Sequence, residues 1–280
     1  MPELPEVETV RRVMERALVG HTIKEVEVAP DEIVLGRFPN KAMEEHLKGA
    51  KVAGVGRKGK YWWIELDKKP WLFGHLGMAG WIREMGEPTI RIREMGNMPL
   101  DDEEGRPRFL KLMLTTEEGR RIAMTDGRRL ARLWLSDSPE KDKRVGALGF
   151  DSWKGLPSSS ELHALLKKRK APLKAILLDQ ALFAGVGNWI ADEVMLEARL
   201  SPHRLGTSLT EKEAGALKKA IEDVISLAVE KGADKDQFPA DWLFHVRWGG
   251  KKGIPQFDGH DIIREQVGGR TTAWVPDLQR

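Results

Sequence analysis

The sequence predicts an α+β protein: one N-terminal helix running into a two-layered β-sandwich or flattened barrel, then a helical domain and a small β tail. Three observations predict it. Apolar residues repeat at three-and-four spacing over residues 4–18 and then switch to a period of two after His21. Residues 136–160 turn to Ser, Pro, Asp, Gly and Lys, the composition of a linker. Helical patterning follows, and residues 240–280 return to strand-like runs with Gly-Gly turns. The expected divisions are 1–135, a linker 136–160, 161–240 and 241–280.

Each element has a local reason. Leu4, Val7, Val10, Met14 and Leu18 form one apolar helix face, Pro5 suits a first-turn position, and Glu6 and Glu8 suit the positive helix start. Ile23, Val26 and Val28 lead a strand, and strands are expected at 51–57, 60–67, 71–76, 108–115, 121–126 and 130–135. Residues 84–107, rich in Gly, Pro and charge, read as an excursion between strands. Ser160 is a candidate cap for a short helix, and Pro172 opens another with Leu173, Ile176 and Leu177 inward. Gly185-Val-Gly187-Asn188 breaks that helix, a further one runs to about Ala198, and Thr210 with Glu213 forms a capping box for a long helix ending before Gly232.

Composition narrows the function. The chain has 280 residues, 41% hydrophobic and 32% charged, which suits a packed soluble core. It has no run of about 18 apolar residues, so no membrane association is expected. Its acidic start, lacking an apolar stretch, does not read as a secretory signal. With no cysteine, disulfides, thiolate catalysis and Cys-ligated zinc are excluded, and a reducing compartment fits. A net charge of +3 is mild, so polyanion binding must come from clusters such as Arg128-Arg129, Lys167–Lys170 and Lys251-Lys252. Ten Trp stand against one Tyr; most read as core, with one or two in a binding surface. The seven His show no metal-ligand spacing.

Two segments carry chemistry. With Met1 removed, Pro2 presents a secondary amine whose ordinary pKa near ~8 leaves a useful unprotonated fraction at neutral pH. Such an amine attacks an electrophilic carbon to give an iminium, and Glu3 beside it can move the accompanying protons. Pro-Glu-Leu-Pro-Glu is equally a good helix start. In the tail, Arg247, Trp248, Lys251 and Lys252, followed by Gly268-Gly269-Arg270-Thr-Thr-Ala-Trp274, read as two strands around a basic hairpin, with a finger strand at Leu243–Arg247. Such a ribbon fits a duplex groove, or is simply a solvated hairpin. The Gly185–Asn188 turn can hold one phosphate at a helix start, or serve as a glycine cap. The Lys167–Lys170 run is a solvated face or added phosphate charge.

Together these segments resemble the formamidopyrimidine-DNA glycosylase family, from one end of the chain to the other. Pro2-Glu-Leu-Pro-Glu-Val-Glu-Thr-Val-Arg-Arg12 looks like its N-terminal signature. Lys58-Gly-Lys60-Tyr61, His75-Leu-Gly-Met78-Ala-Gly80, Asp126-Gly-Arg128-Arg129, Gly185-Val-Gly-Asn188 and Gly269-Arg270-Thr-Thr follow in family order. The resemblance implies a helix–two-turn–helix DNA-binding domain over 161–240 and a finger hairpin over 241–280. It implies a bifunctional glycosylase and abasic-site lyase acting on damaged double-stranded DNA as a monomer. Pro2 is the implied nucleophile, forming a Schiff base with the sugar of a flipped nucleotide, with Glu3 the acid/base partner and Glu6 supporting them. Lys60 contacts phosphate and assists β-elimination, and Arg270 grips phosphate and assists the δ step. Asn188, His75, Arg129 and Lys170 bind DNA, while Met78, Arg128 and Leu130 fill the vacated stack.

Two departures from the family shape the expectation. Its finger usually carries zinc on four Cys; here Gln256, Gly259, Val275 and Leu278 occupy that neighbourhood, so the resemblance is to a zincless-finger branch, with packing by Trp248 and Trp274 and no zinc required. The segment between Gly232 and Leu243 is short, and Leu130 stands where relatives often have Phe. Formamidopyrimidines and abasic sites are therefore the expected substrates, with 8-oxoguanine excised weakly. The cysteine-free tail points to a nucleus, although a bacterial cytoplasm is compatible. Two alternatives are a catalytically silent reader of damaged duplex and a single-strand or RNA binder.

Overall fold

A computed structural model describes residues 2–88, 98–248 and 255–280. The chain divides into two compact units, residues 1–147 with 232–235, and residues 148–231 with 236–280.

The first unit opens with α1, Leu4–Leu18, over the expected residues, and all five residues of the apolar face are buried. Two four-stranded antiparallel sheets follow. One is ordered β1-β6-β7-β5, from Ile23–Val28, Leu110–Thr116, Arg121–Thr125 and Trp81–Glu84. The other is ordered β2-β3-β4-β8, from Val52–Lys58, Tyr61–Leu66, Trp71–His75 and Arg132–Ser136. Trp62, Ile64, Leu66 and Leu72 of the second sheet share one core with Leu112, Leu114, Ile122 and Met124 of the first and with the α1 face. This is the expected two-layered sheet architecture.

Three details differ from the sequence reading. The helix α2, Asn40–Leu47, buries just Met43 and Leu47, too few apolar positions to register a helical period. Strand β5 lies at the edge of the span read as an excursion, of which residues 89–97 fall outside the described residues. The last strand begins at Arg132, because Asp126 gathers residues 126–131 into a turn.

The second unit is mainly helical: α3 Ser159–Leu166, α4 Leu173–Leu178, α5 Asn188–Glu197 and α6 Glu211–Glu230. The cap of α3 is Ser158, not Ser160: Ser158 stands three residues before Glu161, whose carboxylate accepts the Ser158 N–H at 3.0 Å, and this spacing makes the box. Thr210 and Glu213 cap α6 as expected. Strand β9, Phe150–Asp151, pairs in parallel with β10, Phe183–Ala184, so part of the span read as linker belongs to this unit. The tail has two hairpins, β11–β12 (Gln256–Phe257, His260–Asp261) and β13–β14 (Ile263–Val267, Arg270–Trp274). Residues Leu243–His245 form a 3₁₀ turn where a finger strand was expected. The backbone is bent there because both carboxylate oxygens of Glu193 bind successive N–H groups, Leu243 at 3.1 Å and Phe244 at 2.9 Å. Lys251 and Lys252 lie outside the described residues.

Candidate active site and nucleic-acid interface

Antiparallel pairing brings the first unit's candidate residues to one end of its two sheets. The β2–β3 turn with Lys60, the end of β4 with His75, the turn with Met78 and the approach to β8 with Arg128–Leu130 all leave the second sheet at that end. At the helix start, Pro2, Glu3 and Glu6 are buried, and the Glu6 carboxylate accepts the Glu3 N–H at 2.9 Å. One turn on, the buried Glu8 binds Arg11 and Arg12 at 3.0 Å and reaches Arg57 of β2 at 3.2 Å. Arg57 in turn donates to the Gly59 carbonyl at 3.0 Å, so the hairpin bearing Lys60 is pinned to the helix bearing Pro2. Burial pulls the Glu8 carboxyl up, but Arg11 and Arg57 more than offset it and hold it below the ordinary range. Glu8 therefore sits in the helix start with its charge matched by three guanidinium groups.

His75 faces Tyr61 with ring centroids 4.8 Å apart, and its Nδ1 accepts the Gly77 N–H at 3.0 Å. Burial, with the positive charges of Lys60, Arg132 and Arg144, pushes its pKa down to about 4. The imidazole is neutral at pH 7, and with Nδ1 accepting, its proton is on Nε2. Lys60 itself is 6% exposed. Met78, Arg128, Arg129 and Leu130 are exposed. The sequence reading placed Asp126 in a motif without giving it a role, and it is the residue that organises them: wholly buried, it accepts the N–H groups of Arg128 at 2.9 Å and of Leu130 and Ala131 at 2.7 Å. The reading missed Asp31, whose carboxylate binds Arg129 at 3.0 Å and Lys111 at 2.8 Å and is held well below the usual carboxylate range despite burial. Arg129, read as a phosphate contact, thus already has an anionic partner.

In the second unit, Asn188 is the first residue of α5, and its Nδ2 donates to the Thr271 carbonyl at 2.9 Å. Asn188 and the finger residue Arg270, the exposed first residue of β14, are thereby neighbours. Beneath them lies a network with no sequence signal beyond scattered charges. Asp192, fully buried, takes Lys174 at 2.5 Å on one oxygen and Arg247 at 2.5 Å on the other. Both cations also donate to the Asn188 carbonyl, at 2.9 and 3.3 Å. Lys170 is exposed between α3 and α4.

The finger's root is apolar. Ile262, Ala273 and Val275 cluster with Leu196 and Leu243, and Phe257 and Leu278 pack against them. Trp274 is half-buried and donates to Glu265 at 2.7 Å, whereas Trp248 is 51% exposed under the Arg247 guanidinium. The packing therefore uses aliphatic residues and Phe257 where Trp248 was expected. Gln256, Gly259, Val275 and Leu278 offer no thiolate or imidazole, so these four positions do not fit a zinc ion.

The pattern of elements and motifs is found in known proteins. Residues 1–133 match the formamidopyrimidine-DNA glycosylase N-terminal domain, and residues 148–239 match the H2TH domain of the same glycosylase. The chain belongs to the formamidopyrimidine-DNA glycosylase family. As a member it is a DNA glycosylase of base-excision repair. A formamidopyrimidine-DNA glycosylase of Arabidopsis thaliana is 37% identical over 280 residues, covering all of this chain and 71% of that protein. One from Thermus thermophilus is 36% identical over 303 residues, covering all of this chain and 98% of that protein. Among solved structures, the Lactococcus lactis family member crystallised with FAPY-dG-containing DNA superposes with a TM-score of 0.79 at 25% identity, covering 99% of this chain and all of that one. Among the described residues, no helix is long and apolar enough to cross a membrane.

Proposed function

We propose that the chain is a bifunctional glycosylase and abasic-site lyase that acts on damaged duplex DNA through an imine on Pro2. The unprotonated amine attacks C1′ of an extruded nucleotide; the N–C1′ bond forms as the glycosidic bond breaks, and the base leaves with a proton supplied by Glu3. The amine's own proton passes to Glu3, and the C1′–O4′ bond then breaks with O4′ taking that proton. The resulting iminium permits loss of a C2′ proton with the 3′ phosphate by β-elimination and then of the 5′ phosphate by δ-elimination. Lys60 and Arg270 bind the departing phosphates, Asn188, His75, Arg129 and Lys170 hold the backbone, and Met78, Arg128 and Leu130 occupy the vacated stack.

The observation that carries this reading is the seating of Pro2 and Glu3 at the start of α1. There Glu6 hydrogen-bonds the backbone N–H of Glu3, and Glu8 is neutralised by arginines. Borohydride trapping on a duplex with one abasic site tests it. A crosslink mapped to Pro2 and lost in Pro2→Gly is expected. Duplex binding without any crosslink would assign the chain to silent lesion readers instead.

Substrate choice follows the same reading. The short stretch from Gly232 to Leu243 and the aliphatic Leu130 support fast processing of formamidopyrimidines and abasic sites, with 8-oxoguanine slow. Side-by-side single-turnover rates check this, and equal rates on all three would overturn it. Action as a monomer, without zinc, in a nucleus completes the proposal. The cysteine-free finger and the likeness to the Arabidopsis protein support the last point. Unchanged activity after chelation, a monomer mass in solution and nuclear accumulation of a fluorescent fusion are expected.

A further inference from the structure

Phe109 is a large apolar side chain left 54% exposed, and it stands on strained backbone, with φ +59°. A β-branched or aromatic residue in the left-handed region costs free energy, and such outliers gather where function needs them. The strain has a local origin. Phe109 immediately precedes β6, and the β6–β7 register slips between Leu110 and Leu112, a bulge at the mouth of that hairpin. Bulges re-aim a side chain; here the ring is turned out beside the turn that Asp126 organises. The Phe109 carbonyl accepts the Asp126 N–H at 3.0 Å. A Cβ on Gly127 would stand 3.3 Å from the ring, so Gly127 is the ring's floor. At the other side of the turn, a Cβ on Gly77 would fall 2.4 Å from the Leu130 backbone, which shows how closely the Met78 turn abuts it. Phe109, Leu130 and Met78 are thus three exposed apolar groups on adjoining turns at one end of the sheets. Arg108, whose guanidinium lies 5.8 Å from the Phe109 ring, and Arg128 provide positive charge around them.

We infer that Phe109 is the aromatic platform on which the unpaired base opposite the lesion stacks, the part that Leu130 lacks the π-face to play. The inference rests on the proposed duplex chemistry. Extruding a nucleotide leaves one base without a partner; an aromatic face replaces the lost stacking, and the flanking arginines match the phosphates. Stacking on one ring of this kind is worth about five- to a hundredfold in affinity.

The test uses the whole chain and a duplex with a tetrahydrofuran abasic analogue opposite 2-aminopurine. Wild type and Phe109→Trp should quench the fluorescence, and Phe109→Ala and Phe109→Leu should leave it at least severalfold brighter at saturation. Single-turnover lyase rates opposite each of the four bases should converge in Phe109→Ala, since discrimination between opposite bases passes through the platform. A role confined to folding would lower all four rates equally and leave the quenching of the bound duplex unchanged; that result overturns the inference. Borohydride trapping by wild type is run alongside. If wild type traps and the Phe109 variants quench as it does, the stacking role alone fails; if wild type neither traps nor binds, the reading beneath it fails.

Discussion

Each unit contains a buried carboxylate that gathers cations, and the two are built differently. Glu8 in α1 binds Arg11, Arg12 and Arg57, whose side chains range from 5% to 47% exposed. Asp192 in α5 binds Lys174 and Arg247, at 0% and 3%. Glu8 lies where one helix meets one hairpin and keeps a partly wet shell. Asp192 is dry, and its partners also hold the Asn188 carbonyl, while its own oxygen accepts the Ala273 N–H of β14 at 3.3 Å. The first arrangement tunes the electrostatics of a helix start; the second fastens a loop and a finger strand into one piece. Removing the central carboxylate therefore has unequal consequences.

Asp192→Ala strands two buried cations, and breaking a buried pair in this way costs about 3–5 kcal/mol. The expected outcome is a lowered melting transition with lost protection of the α5 and β14 amides in hydrogen exchange. A loss under about 1 kcal/mol would show that Lys174 and Arg247 find other partners. Glu8→Ala leaves Arg12 able to turn toward water, while Arg11 keeps Glu15 at 2.8 Å and the buried Arg57 keeps the Gly59 carbonyl at 3.0 Å, so about 1–2 kcal/mol is expected. Its sharper signature is functional. The β2–β3 turn loses its tether to α1, and lyase rates should fall while duplex affinity changes less.

These two hubs also mark the limit of what the sequence discloses. The helix at 4–18 and most strands of the sheets were legible because burial on one face imposes a period, and the Thr210–Glu213 box because capping needs two residue types at fixed spacing. Pro2, Glu3, Lys60 and Arg270 were legible as motif letters. The roles of the carboxylates beneath them were not: Asp126 stood in a motif without a role, and Asp31 and Asp192 act through contacts spanning up to 98 residues of sequence, in local surroundings that look like a turn and a helix face. Phe109 was hidden for another reason. It reads as a strand's first apolar residue, and only the bulge turns it outward. The 3₁₀ turn at Leu243–His245 likewise depends on Glu193, about fifty residues away in sequence.

The first unit carries its own pH sensitivity. His75 has its pKa depressed to about 4, so on acidification the unfolded chain takes up a proton near its ordinary value of about 6.5 before the folded one does. Stability is therefore complete above about pH 6.5 and declines as pH falls, by about 2 kcal/mol at about pH 5 and about 3 kcal/mol at about pH 4 from this residue. Denaturant unfolding at pH 7 and pH 5 checks it. His75→Gln should flatten the dependence, and an unchanged slope in that variant would show that other groups carry it.

The smallest effect separates local from long-range support in the helical unit. Thr210 accepts the Glu213 N–H at 3.2 Å, and the Glu213 carboxylate accepts the Thr210 N–H at 2.8 Å. Thr210→Ala removes one half of the box and should cost about 1 kcal/mol. Glu213 keeps a second hold, because Arg204 binds its carboxylate through both terminal nitrogens, at 2.9 and 3.1 Å. The remaining half of the box should thus persist in Thr210→Ala, and the double variant Thr210→Ala with Arg204→Ala should lose more than the sum of the two singles. Strict additivity in that cycle would mean the ion pair and the cap act independently. The α6 terminus would then owe its position to the apolar residues it buries, Ala214 and Leu217 first among them.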